Sequence, residues 1–174
     1  LPGDPHRRAD QRRPRGLAAL MAPDRLPVRP ARSTDAAALR TLQSLLTEPS
    51  PELLSAALTE RSGSMPVRTA TLLVSPTADD RPAGYLLAVG NDPTHIAELA
   101  VDPRYRREGR ARRLLAAVCG DADAVTVHVA ADNEPARSLY EGFGFVEAGR
   151  SADRFDGSDC LTLRYRPESD RSEG

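Results

Sequence analysis

Between Leu99 and Leu115 the chain reads Leu-Ala-Val-Asp-Pro-Arg-Tyr-Arg-Arg-Glu-Gly-Arg-Ala-Arg-Arg-Leu-Leu. A strand runs out at Val101, a short loop turns back, and a helix opens near Gly109. Such a turn aims successive backbone N–H groups and the positive end of a helix at one point, the arrangement a pyrophosphate needs. Gly109 lets the main chain approach a ligand closely, and Ala111 keeps the next contact small. Arg106, Arg107, Arg110, Arg112 and Arg113 add a positive field suited to phosphate. On local grounds alone, the same residues also describe an exposed helix start decorated with arginine.

Other residues have types suited to proton transfer or nucleophilic attack. His128 sits in the run Ala124 to Ala130, where strand alternation turns Val125, Val127 and Val129 one way and Thr126 and His128 the other. On the run Thr94 to Val101, His95 shares a face with Ala97 and Leu99, and Glu98 faces the other way with Ile96 and Ala100. A lone glutamate on a strand is more often solvated or ion-paired than a base. Tyr140 belongs to a helical stripe with Ala136, Leu139 and Phe143, and these residues alone make it a packing residue. Cys119 ends a stripe beside Gly120 with no adjacent base, so it reads as a small buried hydrophobe rather than a nucleophile, and Cys160 has no more support.

The elements that must position these groups alternate in type. Val28 to Ala31 is a short strand candidate. Ser33 or Thr34 can cap a helix carrying Ala37, Leu39, Leu42, Leu45 and Leu46, ended by Pro49 and Pro51. Glu52 to Glu60 makes a second helix. Arg68 to Ser75 and Ala83 to Val89 form a hairpin around the turn segment Pro76 to Pro82, and Thr94 to Val101 continues the meander. A helix from about Gly109 to Cys119 presents Ala111, Leu114, Leu115 and Val118 on one face. After the strand Ala124 to Ala130, Asn133 caps a helix that tolerates Pro135 in its first turn. Strands Phe145 to Gly149 and Asp159 to Arg166 close the chain.

The 174 residues suit one domain. All 24 basic residues are arginine, set against 25 acids, and a net charge of −1 gives no general reason to bind nucleic acid or an acidic membrane. Residues 1–20 carry five Arg against two Asp, or +3, and read as a disordered basic extension, or as sequence upstream of a start at Met21. Their apolar run is too short for a signal peptide. Residues 168–174 read as a disordered tail, leaving 21–167 as the domain. No apolar run is long enough to span a membrane. Two cysteines suit a reducing, cytoplasmic setting, and no Cys/His spacing suggests a metal site.

The spacing of the landmarks resembles the GCN5-related N-acetyltransferase (GNAT) superfamily. Its signature of Arg or Gln, two residues, Gly, one residue, then Gly or Ala is met by Arg106-Arg107-Glu108-Gly109-Arg110-Ala111. Val101-Asp102-Pro103 before it, and Asn133, Ala136, Tyr140 and Gly142-Phe143-Gly144-Phe145 after it, match the remaining landmarks in order, over about residues 27–166. The resemblance implies an α/β fold with a mixed, mostly antiparallel sheet, a splayed central pair of strands and flanking helices. It implies acetyl-CoA as donor. Backbone of Leu99, Ala100 and Val101 would pair with the pantetheine arm, and the segment Arg106, Arg107, Glu108, Gly109, Arg110, Ala111 and Arg112 would hold the pyrophosphate. Asn133 would bind near the pantetheine end, and Tyr140 would protonate the departing thiolate.

An amine acceptor must lose a proton before it attacks, so a base is expected as well. The C-terminal half is similar to the ribosomal-protein alanine N-acetyltransferase branch, which places a glutamate five residues before the Asn. Here that residue is His128, whose ordinary pKa near 6.5 suits a base at neutral pH. Glu98 and His95 are the other candidates, alongside a water chain with no dedicated base. The acceptor is expected to be a protein N-terminus or a small-molecule amine, with a lysine side chain third. A non-catalytic acyl-CoA sensor is the alternative, although retention of Tyr140 speaks against it. Monomer and homodimer both remain open.

Overall fold

In the computed structural model, residues 26–60, 70–155 and 157–167 are described. The expected basic extension, the C-terminal tail and the first two residues of the strand expected from Arg68 lie outside them. Among the described residues, seven strands form one sheet: β1 (Arg29–Pro30), β2 (Ala70–Pro76), β3 (Pro82–Val89), β4 (Thr94–Val101), β5 (Val125–Ala130), β6 (Val146–Phe155) and β7 (Ser158–Tyr165). Their spatial order is β1-β2-β3-β4-β5-β7-β6. All neighbours run antiparallel except β4 and β5, which are parallel. The expected mixed sheet is the one observed.

Four α-helices among the described residues cover the two faces: α1 (Ala36–Gln43), α2 (Pro51–Glu60), α3 (Arg110–Gly120) and α4 (Glu134–Phe143). Leu39 and Leu42 of α1 join Leu54, Ala57 and Leu58 of α2 against Leu72, Val74, Tyr85 and Leu87 of the sheet. On the opposite face, Leu114, Leu115 and Val118 of α3 and Tyr140 of α4 pack on Leu86, Ile96, Val127 and Leu161. Each fully buried leucine contributes about 2 kcal/mol, so the helical stripes hold the sheet between two apolar layers.

Local chemistry explains where the elements differ from expectation. Neither Ser33 nor Thr34 caps α1; a 3-10 turn over Ser33–Asp35 precedes it, closed by the Asp35 carboxylate accepting from the Arg32 N–H at 2.7 Å. Arg29 grips the same carboxylate at 2.8 Å. α1 ends at Gln43, so Leu45 and Leu46 fall in the following loop rather than on its stripe. β6 continues past Gly149 to Phe155, because β7 supplies pairing partners through Arg150 and Ser151.

Candidate active site

The parallel pairing of β4 with β5 involves Thr94, His95 and Ile96 against Val125, Thr126 and Val127. Beyond these the strands diverge, leaving the β5-facing edge of Leu99, Ala100 and Val101 open for an extended ligand. The loop that follows is fixed from within. Asp102 Oδ1 accepts the Arg104 N–H at 2.9 Å, capping a 3-10 turn over Pro103–Tyr105, and Arg106 Nε donates to the Val101 carbonyl at 3.1 Å. Two left-handed residues then turn the backbone, Arg107 at φ 64° and Gly109 at φ 73°. Gly109 is the N-cap of α3, so the loop amides and the helix dipole converge on one end of the slot. A Cβ at Gly109 would meet only Arg113 Nη1 at 3.6 Å; its conformation and the space on its open side call for glycine, not crowding within the protein.

The arginines of this loop do not all face a ligand. Arg110 is 5% exposed, and its side chain turns inward to Glu108 Oε2 (2.8 Å), Ser75 Oγ (3.1 Å) and the Pro76 carbonyl (2.8 Å). Its expected part in the phosphate-facing field is therefore corrected: the guanidinium anchors the loop to β2 and neutralises Glu108, and only its backbone N–H is left for a phosphate. Arg112 Nη2 ties α3 to the Gly142 carbonyl of α4 at 3.2 Å. A cavity of about 800 Å³ runs along the slot, lined by Leu99, Ala100, Val101, the residues from Arg106 to Arg112 except Glu108, and Pro135 to Tyr140 except Arg137.

A second cavity, about 690 Å³, opens on the other side of the splay. Glu98, His128, Asn133 and Tyr140 line it, with Leu45, Leu46, Thr47 and Glu48 from the loop after α1. The two cavities share Leu45, Leu46, Leu99, Ala136 and Tyr140, so Tyr140 stands at their junction. Its ring is 5% exposed and meets Phe145 edge-on, with centroids 5.2 Å apart. Burial, and then Cys119, push its phenol well above the ordinary value, so it stays protonated and able to donate. Asn133 Oδ1 accepts the Ala136 N–H at 3.2 Å as the cap of α4, which leaves the amide NH₂ for a ligand. Burial pushes the Cys119 thiol up to about 12, consistent with its reading as a hydrophobe.

A bulge rearranges β4. Leu87 pairs with Glu98 but Ala88 pairs with Ile96, so Ala97 is an extra residue. The assignment of Glu98 to a face with Ile96 is thereby corrected: Ile96 packs with α3, whereas Glu98 turns toward α1. Likewise Leu99 leaves the face of His95 and Ala97. Nor is Glu98 solvated, or ion-paired among the described residues. It is 3% exposed, and its carboxylate accepts from Gln43, the Ser50 N–H and Tyr85. His128 is exposed on the second cavity and lies against His95, ring centroids 4.7 Å apart. His95 Nδ1 is 3.0 Å from Thr126 Oγ1, and burial followed by His128 holds His95 below the ordinary imidazole value. His95 does not line either cavity.

Sequence reasoning missed the wall from Leu45 to Glu48. The available signal was Leu45-Leu46 directly before a Pro-bounded loop: Leu45 remains 48% exposed, a large apolar side chain left over by the core. Among the described residues, no helix is long and apolar enough to cross a membrane.

Residues 46–166 match the family model described as an acetyltransferase (GNAT) domain. The chain is 39% identical over 80 residues to mycothiol acetyltransferase of Clavibacter sepedonicus, covering 45% of this chain and 26% of that protein. It is 40% identical over 76 residues to N-alpha-acetyltransferase 30 of Xenopus laevis, covering 40% and 28%. The matched segments thus span about a quarter of the length of these relatives. In fold it is similar to the ribosomal-protein-S18-alanine N-acetyltransferase from Escherichia coli, at 23% identity and a TM-score of 0.61 over 80% of this chain and 92% of that one.

Proposed function

This chain belongs to the GNAT acetyltransferase family, and on that premise we propose that it transfers an acetyl group from acetyl-CoA to an amine by direct attack in a ternary complex. The observation that carries the reading is Tyr140, a buried phenol at the junction of a basic, phosphate-suited groove and a second, acidic one. A thioester laid along the first groove meets an amine entering from the second at that residue.

The donor supplies an activated acetyl group; the chain's part is to hold it and move protons. Backbone of Leu99 to Val101 offers a free edge, with the Val101 carbonyl already engaged by Arg106. Amides from Arg107 to Arg112 receive the pyrophosphate, and the Asn133 NH₂ group reaches the pantetheine end. Tyr140 donates its proton to the departing sulfur. His128, exposed on the second cavity, takes the proton from the amine. Glu48 and Asp132 line this cavity and no arginine does among the described residues, in a chain with 24 arginines. That charge suits a cationic amine. A protein N-terminus and a small-molecule amine are both of this type, and the similarity to relatives named for mycothiol and N-alpha acetylation supports the pair. Two buried cysteines and a CoA donor suit the cytoplasm.

The test is release of CoA from acetyl-CoA with a panel of peptides and amines, comparing wild type with Tyr140→Phe. Turnover with at least one amine, falling about 100-fold or more in the variant while donor affinity holds, is expected. Tight acetyl-CoA binding with no release for any acceptor overturns the enzymatic reading in favour of an acyl-CoA sensor.

A further inference from the structure

Glu98 gathers donors from three other parts of the fold. Gln43 Nε2, the last residue of α1, donates to both carboxylate oxygens, at 2.9 and 3.1 Å. The Ser50 N–H, directly before α2, donates to Oε1 at 2.6 Å, and the Tyr85 hydroxyl of β3 donates to Oε2 at 2.8 Å. Gln43 and Ser50 bracket the loop whose residues Leu45 to Glu48 form the wall of the second cavity. A carboxylate offers roughly four lone-pair sites. Each oxygen of Glu98 accepts two bonds, so all four are taken. A proton from an amine, or from a water in between, finds no site there unless one of these bonds breaks.

We propose that Glu98 is a positioning residue: it clamps both ends of the Gln43–Ser50 loop to the sheet and so fixes the acceptor wall, while proton removal falls to another group. The inference rests on the acetyltransferase reading for its kinetic consequences but not for its structural one. Tyr85 completes the clamp from below. It is fully buried and lines neither cavity, so it serves the carboxylate and not the ligand. Burial, then the hydrogen bond to Glu98, push its phenol far above the ordinary value and keep it a donor.

The two roles separate in an exchange of side chains. Glu98→Gln places an NH₂ against that of Gln43 and loosens the loop. Adding Gln43→Glu restores the pair with donor and acceptor exchanged, while the oxygen of the introduced amide still accepts from Ser50 and its NH₂ donates to the Tyr85 oxygen. Glu98→Gln is expected to raise the acceptor KM about tenfold, with kcat within about threefold and the shape of the pH profile kept. Exchange of the Ser50 amide with solvent deuterium is expected to accelerate. The double variant is expected to recover most of both properties. Loss of kcat and of the acid-side limb in both variants, with Ser50 exchange unchanged, overturns the proposal and makes Glu98 the base. Unaltered KM and exchange in Glu98→Gln overturn it as well. Should wild type acetylate no amine at all, the enzymatic reading falls by itself, and Ser50 exchange across the three proteins still decides whether Glu98 clamps the loop.

Discussion

Replacing Gly109 by Ala, Asn and Asp separates shape from charge at the phosphate end of the donor groove. Gly109 sits at φ 73°, ψ 17° at the head of α3. Alanine in this left-handed region costs about 1–2 kcal/mol, and Asn and Asp less, because their short polar side chains visit it readily. No steric term adds to that, since the new Cβ meets only Arg113 Nη1 at 3.6 Å. All three variants should therefore fold, the alanine protein melting about 2–4 °C lower per kcal/mol lost. Toward the donor, Asn adds bulk alone and Asp adds bulk plus a charge. A carboxylate about 5 Å from a phosphate charge costs about 3 kcal/mol at an effective dielectric of about 20. Salt and the neighbouring arginines reduce the total for the pyrophosphate to about 2–3 kcal/mol. Acetyl-CoA should then bind Gly109→Asp about 30- to 150-fold more weakly than Gly109→Asn. Calorimetry at low and high salt measures this ratio, which should shrink as salt rises. Equal affinity of folded Asp and Asn variants at low salt would refute the placement of the pyrophosphate.

Other consequences are checked more simply. His128→Ala should lower kcat/KM at neutral pH by about 100-fold while acetyl-CoA affinity holds, measured side by side with wild type; an undiminished kcat/KM points to another base. His95 has a folded-state pKa below its unfolded value, so the unfolded chain binds more protons between the two. Stability should thus fall as pH drops from about 6.5 through the folded value, and His95→Gln should flatten that slope in urea unfolding; an unchanged slope removes His95 as its source. Cys119, buried and pushed up to about 12, should resist iodoacetamide at pH 8 in the native protein, with Cys119→Ala keeping its turnover. Rapid alkylation without unfolding contradicts that burial.

Much of the framework around this candidate site was legible because local chemistry governs it. The strand bounds of β4, the glycine opening α3 and the asparagine capping α4 all follow from short-range rules that tertiary packing did not override. What was not legible depends on contacts distant in sequence. The extra residue at Ala97 leaves no mark on the alternation of Thr94 to Val101, yet it turns Glu98 away from the face of Ile96 and toward Gln43, 55 residues earlier. Arg110 looks like its exposed neighbours in a run of arginines. Its inward turn is set by Ser75 and Pro76 on β2, about 35 residues away. The acceptor wall went unseen because Leu45 and Leu46 continue the helical spacing of Leu39 and Leu42, whereas α1 ends at Gln43 and the loop beyond it is held by a side chain on another element.

The short parallel pairing of β4 with β5 gives the sheet a seam. Backbone bonds join β1–β4 on one side and β5, β7 and β6 on the other, and three register pairs cross between them. Elsewhere the two parts are held by the apolar layer under α3 and α4, which spans both. On the proposed placement, an extended donor along the open edge would act as a missing strand, closing the sheet with atoms that do not belong to the chain. Folding and donor supply are then thermodynamically linked: at a hundredfold excess over its Kd the ligand adds about 2.7 kcal/mol. On that placement, protein without donor is expected to open first at this seam, beside the proposed reaction site.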